Sequence, residues 1–339
     1  MTARAFVSGC SGLTLTLDER AFFRDADPWG LILFGRNIAS HDQIAALTAD
    51  FREAVGRDDA AVLIDQEGGR VQRLRPPLAR PHPPAARYGA LHAIDPQAAV
   101  AAARAGAELI AGELAALGVT VDCLPVLDLP TEGMTQAIGD RAYADTPEGV
   151  AALGRAVING LLAGGVAPVI KHMPGHGRAT VDSHYQLPTV TADRATLEAS
   201  DFEPFRRLAD CPIGMTGHIV FEAIDPDRPA TLSPVVIGEI VRGHIGFDGL
   251  LLSDDLSMKA LSGPVGESAA RALAAGCDIA LHCNGEMGEM LQVAAAAPRL
   301  AGRSAARASD ALAAASGRRA GDLVALAEER DRLLERASA

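Results

Sequence analysis

Residues 166–184 read VAPVIKHMPGHGRATVDSH, an apolar run that breaks into a loop dense in ionisable groups. Val166–Ile170 has the composition of a buried strand. The fourteen residues Lys171–His184 hold three of the chain's nine histidines, together with Lys171, Asp182, Pro174, Gly175 and Gly177. A strand ending in a basic, histidine-rich, glycine-punctuated loop makes a poor core and a good site. The fold then turns on whether the chain's other strands end in the same way.

Eight short apolar runs qualify as strands: Ala5–Ser8, Leu31–Phe34, Ala61–Ile64, Thr120–Leu124, Ala167–Ile170, Pro212–Met215, Gly249–Leu252 and Asp278–Leu281. Helical signals separate them. Asp95-Pro96 and Thr146-Pro147 each put a capping residue before a proline, and predict helices running to Gly118 and to Gly164-Gly165. Ser233-Pro234 opens another that ends near Gly243, and Val265–Ala275 predicts a helix stopped by Gly276. This alternation predicts an α/β fold, a single (β/α)8 TIM-type barrel, with an open doubly wound sheet as the alternative. No repeat or linker divides residues 1–339, so one domain is expected. The proline-rich Pro76–Pro84 reads as an extended loop after the third strand. Residues 300–339 read as two C-terminal helices that break near Gly317 or Gly321, with Leu323, Leu326, Leu333 and Leu334 packing on the barrel's outside.

Composition narrows the functions. A net charge of −12 argues against a nucleic-acid or anionic-membrane partner, since either requires a basic surface. No apolar run approaches the roughly 20 residues of a membrane span. The N-terminal MTARAFVSG lacks a charged head followed by a long apolar stretch, so no secretory signal is expected. Five dispersed cysteines (Cys10, Cys123, Cys211, Cys277, Cys283) read as buried free thiols, and a cytoplasmic location is the expectation. Local charge can oppose the global sign through Arg70, Arg73, Arg141 and Lys171. Aromatic content is only 4%, which suits a short glycan better than a long chain stacked on rings.

Polar groups recur at one end of nearly every run. They are Arg36-Asn37, then Asp65 to Arg70, then Asp122 and Asp128, Lys171-His172, Thr216 to His218, Asp254-Asp255, and His282 to Asn284. Barrel active sites lie at the C-terminal ends of the strands, so this asymmetry predicts an enzyme. Asp182 and His184 are two apart and share a side in an extended segment, a geometry in which a carboxylate fixes an imidazole tautomer for proton transfer. Of Asp254 and Asp255, alternation lets one face the mouth while the other binds a backbone amide, Lys259 or a helix start. Gly68-Gly69 beside Asp65 and Glu67 suggests close backbone approach to a ligand. A metal-dependent hydrolase built on His172, His176, His184, His218 and Asp254 is an alternative, though Pro174, Gly175 and Gly177 prevent a helix that would align His172 with His176. A non-catalytic sugar-binding barrel and a phosphorylase are two further readings.

Together, LILFGRN (31–37), IDQEGGRVQRL (64–74), IGDR (138–141), KHMPGHG with DSH (171–184), MTGHIVF (215–221) and SDDLSMKAL (253–261) resemble the bacterial β-N-acetylhexosaminidases of glycoside hydrolase family 3, the peptidoglycan-recycling type. The resemblance implies a barrel that removes terminal β-linked N-acetylglucosamine from anhydro-muropeptides, retaining configuration, without a cofactor or metal. A monomer acting on a small glycan is expected. By position in these motifs, Asp254 is the nucleophile and His184 the acid/base, oriented by Asp182. The sugar-binding residues are Asp65, Arg73, Arg141, Lys171 and His172. Retaining glycosidases ordinarily use two carboxylates about 5–5.5 Å apart, so a histidine would here replace the second. Glycines in the loop would act as hinges for His184. Met173 stands where the family usually has phenylalanine, and His282 lies in the run before Cys283-Asn284.

Overall fold

Alternation within each apolar run decides which side chains fill the barrel and which meet the helices. Ile32 and Leu63 join the interior cluster, whereas their neighbours Leu31, Leu33, Val62 and Ile64 join the outer core beneath the helices. The computed structural model describes residues 2–131, 137–183 and 186–337. Its barrel strands are β1 (Arg4–Ser8), β2 (Pro28–Leu33), β3 (Ala61–Ile64), β4 (Val121–Asp122), β5 (Ala167–Met173), β6 (Ile213–Thr216), β7 (Leu250–Asp255) and β8 (Ile279–His282). Each pairs in parallel with its sequence neighbours, and β1 closes the barrel between β8 and β2. The predicted (β/α)8 barrel is present and the open-sheet alternative falls.

Helix starts follow the capping chemistry. The Asp95 side chain accepts from the Ala98 amide ahead of the helix Pro96–Ala115, and that of Thr146 from Gly149 ahead of Pro147–Ala163. The first of these stops short of Gly118, in a turn over Ala116–Gly118. Val265–Ala275 ends at Gly276 as expected, while Val236–His244 winds as a wider π-helix. Among the described residues no helix is long and apolar enough to cross a membrane. All five cysteines are free and buried.

Two corrections concern the loops and tail. Gly68 and Gly69 turn the hairpin that pairs Gln66–Gly68 with Val71–Gln72, and both have positive φ. A Cβ on Gly68 would stand 2.4 Å from the Pro83 carbonyl, so the close approach is to the proline-rich loop rather than to a ligand. The tail divides into two tasks. Leu323–Glu335 packs outside the barrel on Pro96–Ala115, with Leu333 and Leu334 in the outer core. The helix Gly302–Ala313 instead closes the barrel's base, because its small Ala308 and Ala311, with Ala315 beyond, fit against the interior cluster beside Ala3 and Leu300.

Asp278, almost fully buried at that base, takes Arg242 at 2.8 Å, Arg307 at 3.1 Å, the Ser304 hydroxyl and the Leu251 amide. Removing one partner of such a set leaves uncompensated buried charge. Asp278→Ala is expected to lose about 3 kcal/mol of stability in urea unfolding while leaving KM unchanged. Loss of less than about 1 kcal/mol would refute the network's role.

Candidate active site

The mouth is reshaped at two strand ends. Pairing of β5 with β6 shifts register between Ile170 and Met173, and pairing of β7 with β8 shifts between Leu252 and Asp255. A register break re-aims side chains that strict alternation would separate. Lys171 and His172 therefore both line one cavity, and so do Asp254 and Asp255. Both aspartates border the cavity, and the Asp255 carboxylate is taken up by the amides of Ser257 and Cys283. The cavity holds about 140 Å³, below the roughly 300–1,000 Å³ of pockets for larger ligands.

One wall is a lattice of buried ions. The Lys171 ammonium reaches Asp65 at 2.9 Å and Glu67 at 2.8 Å. Arg73 donates to the other Asp65 oxygen at 2.8 Å, and Arg141 forks onto both oxygens of Glu67 at 2.7 and 2.8 Å. Burial works to protonate Glu67, but Arg141 and Lys171 outweigh it and hold the carboxyl at about 2. Asp65 is lowered in the same way, against its burial, by Lys171 and Arg73. Burial opposes the charge of Lys171 too, and the two carboxylates raise its pKa beyond the ordinary lysine range. Phe34 lies beneath the Arg73 guanidinium, 4.9 Å from ring centre to carbon.

The second group centres on Asp128, in the loop after β4. Its Oδ2 accepts from His172 Nδ1 at 2.7 Å, and its Oδ1 from the His176 amide at 2.7 Å. Burial would raise its carboxyl, but His172 beside it brings it down to about 2. An ionised acceptor makes Nδ1 the donor and so fixes the His172 tautomer. Burial lowers His176 to about 4, and its Nε2 meets the Ser183 hydroxyl at 3.1 Å. It is a neutral, packed histidine at neutral pH. The expected glycine hinges are packed as well, since a Cβ on Gly177 would fall 1.7 Å from the Leu129 carbonyl.

Asp182 is half-buried beside cavity-lining Ser183, whereas its expected partner His184 lies outside the described residues. Asp254 Oδ1 accepts from the Asp255 amide at 2.8 Å. Asp255 Oδ1 accepts from the amides of Ser257 and Cys283, the backbone role foreseen for one member of the pair. Three polar residues at two strand ends prove to be bracing. Arg36 donates to the carbonyls of Cys10 and Cys283, and Asn37 to those of Cys10 and Gly12. His282 turns away from the mouth to Glu289 at 3.0 Å. Met173 packs on Gly214 in the core. Both nitrogens of His218 are engaged, by Thr231 and by the Asp255 carbonyl. Among the described residues no three His, Cys, Asp or Glu side chains form a set that could hold a metal. Glu67, Asp128 and Ser183 were not singled out from the sequence as site members. Glu67 and Asp128 stood among the polar strand ends and Ser183 within the DSH segment, but none of the three was given a role.

A closed parallel barrel with donors and acceptors crowded at one small mouth defines an enzyme scaffold suited to a hydroxyl-rich ligand. Residues 17–309 match the glycosyl hydrolase family 3 N terminal domain, and the chain belongs to that family. A Beta-hexosaminidase of Alkalilimnicola ehrlichii is 43% identical over 280 residues, covering 81% of this chain and 79% of the relative. One from Methylococcus capsulatus is 43% identical over 278 residues, 80% of each chain. NagZ of Neisseria gonorrhoeae, solved with N-trifluoroacetyl-D-glucosamine, superposes with a TM-score of 0.86 at 30% identity, covering 100% of this chain and 99% of its own. A family 3 β-N-acetylglucosaminidase from a Paenibacillus superposes at 0.83 with 32% identity; the match covers 98% of this chain and 66% of that longer one. The chain is a glycoside hydrolase.

Beneath the lattice, Asp122 is fully buried and accepts from the Gln66 amide at 2.9 Å. Burial pushes its carboxyl up to about 8, against about 3.9 in an unfolded chain. Between those values the folded protein holds a proton that the unfolded chain has lost, so stability falls as pH rises through the window. Asp122→Asn keeps the shape and the acceptor. It is expected to flatten the decline in urea-unfolding free energy between about pH 4 and pH 8. Equal slopes for the two proteins would overturn the assignment.

Proposed function

We propose that this glycoside hydrolase is an exo-acting β-N-acetylhexosaminidase that releases terminal β-linked N-acetylglucosamine from anhydro-muropeptides, in the cytoplasm, as a monomer with one catalytic domain over residues 1–339. The observation that carries the reading is the placement of Asp254 in the same small cavity as Asp65, Arg73, Arg141, Lys171 and His172. A hydroxyl both donates and accepts. A wall in which Lys and Arg donors alternate with Asp and Glu acceptors, each fixed by its neighbour, is pre-organised for a polyol. Met215, Met258 and Leu281 line the cavity too, an apolar surface that suits the acetamido methyl. The cavity's size favours one sugar ring over a chain. The names of the relatives agree with this substrate class.

In the proposed mechanism an Asp254 oxygen attacks the anomeric carbon while His184, protonated and oriented by Asp182, gives its proton to the leaving oxygen. A glycosyl ester on Asp254 results. Neutral His184 then takes a proton from water, which attacks the same carbon and frees both sugar and carboxylate with net retention. An imidazole titrates near neutral pH without the raised pKa that a second carboxylic acid would need.

The test is product analysis on an N-acetylglucosaminyl–anhydromuramyl peptide, following the anomer first released. A β-anomer is expected; the α-anomer would overturn retention, and a sugar phosphate formed with added phosphate would favour the phosphorylase. Asp254→Ala is expected to lower kcat on an aryl N-acetylglucosaminide by at least about 10⁴-fold, and near-normal turnover would remove it as nucleophile. His184→Ala is expected to lose less rate on an aryl glycoside with an acidic leaving group than on one with a basic leaving group. Equal losses would refute the acid role.

A further inference from the structure

The end of β7 that carries Asp254 and Asp255 is tied to a buried chain of side chains from β6 and the loops beyond it. The Asp254 amide donates to the Thr216 hydroxyl at 3.3 Å, and Thr216 and Thr231 hydroxyls meet at 2.8 Å. Thr231 meets His218 Nδ1 at 2.8 Å, and His218 Nε2 meets the Asp255 carbonyl at 2.9 Å. Thr216, His218 and Thr231 are wholly buried. A carbonyl only accepts, so Nε2 carries the hydrogen, and in the neutral ring Nδ1 then accepts from Thr231. Thr231 then accepts from Thr216, which accepts from the Asp254 amide. One proton arrangement thus satisfies the whole circuit, which leaves from the Asp254 backbone and returns to the Asp255 backbone. The Gly217 carbonyl, 3.2 Å from the Thr231 hydroxyl, is the longer and competing acceptor.

We propose that Thr231, through Thr216 and His218, is a positioning residue for the nucleophile, holding the Asp254–Asp255 backbone so that the carboxylate is aimed at the anomeric carbon. The inference rests on the role of Asp254 proposed above. Circuit and nucleophile share a strand end, but Thr216, His218 and Thr231 are absent from the cavity lining. Loss of the circuit therefore slows the attack without weakening the grip on sugar. Misplacement of a reacting group by about 1 Å is enough for a loss on the order of 100-fold.

Thr231→Val removes the hydroxyl at constant shape, and Thr231→Ser keeps it. With an aryl N-acetylglucosaminide, Thr231→Val is expected to lower kcat about 10- to 100-fold with KM, and inhibition by N-acetylglucosamine, within about twofold of the parent. Thr231→Ser is expected to retain most of the rate. Thr216→Val, paired with Thr216→Ser, asks the same question from the other end of the circuit and carries the test if Thr231→Val does not fold. A ring-fluorinated N-acetylglucosaminyl fluoride, which accumulates the ester, reads the step itself by mass spectrometry. The parent should label on Asp254, and the valine variants should label at least about 10-fold more slowly. Folded valine variants that label at the parental rate, or serine variants as slow as valine, would overturn the positioning role. A parent that never labels on Asp254 would overturn the nucleophile assignment, and this inference with it.

Discussion

The ammonium of Lys171 is the constraint on which the mouth of the barrel depends. It leaves the end of β5, crosses to β3 and binds Asp65 and Glu67 while almost fully buried. An unpaired lysine at that depth would surrender its proton, and two unpaired carboxylates would gain theirs. Each ion is tolerable only because the others are present. Arg73 and Arg141 complete the set, so a hairpin after β3, the loop near Gly139–Arg141 and the β5 terminus are held in one register by charge. Such a set is a poor way to gain stability and a good way to hold donors and acceptors still.

The polar groups at the strand ends fall into two kinds, and only one touches the cavity. Arg36 and Asn37 spend their donors on backbone carbonyls of the loops after β1 and β8, and His282 faces a helix. Their position at the mouth was readable from the order of strands. Their direction was not, because sequence order places a residue at a strand end without saying which way its side chain leaves.

Strands show in the chain's order, whereas contacts between distant segments do not. All eight strands were legible, since each is a short apolar run bounded by helix caps or glycines. Alternation separates the roles of Asp254 and Asp255 but assumes an unbroken ladder, and the register shift that lets both border the cavity is a property of pairing with β8. Asp128 was visible as a strand-end carboxylate, but its role was not, because its partner His172 lies forty-four residues away. The helix Gly302–Ala313 reads as a weak alanine-rich segment; its fit into the barrel's base depends on the smallness of those alanines, which hydrophobicity alone undervalues.

The proposed division of chemistry follows from these constraints. Nucleophilic attack needs a carboxylate oxygen aligned with one carbon, and alignment is what a strand end braced through its own backbone supplies. Proton transfer runs along a hydrogen bond that forms as the leaving group departs, so its carrier can approach from a loop. Asp254 sits on β7 with its amide and the next carbonyl both tied down. Asp182 follows the anchored Gly177 in a connection outside the barrel ladder. In the proposed mechanism, a carboxylate acting in place of His184 would have to work beside the charge of Asp254, and each would resist ionisation of the other. An imidazole that is cationic before the first proton transfer and neutral after it avoids that conflict, which gives the histidine in the DSH segment a physical reason.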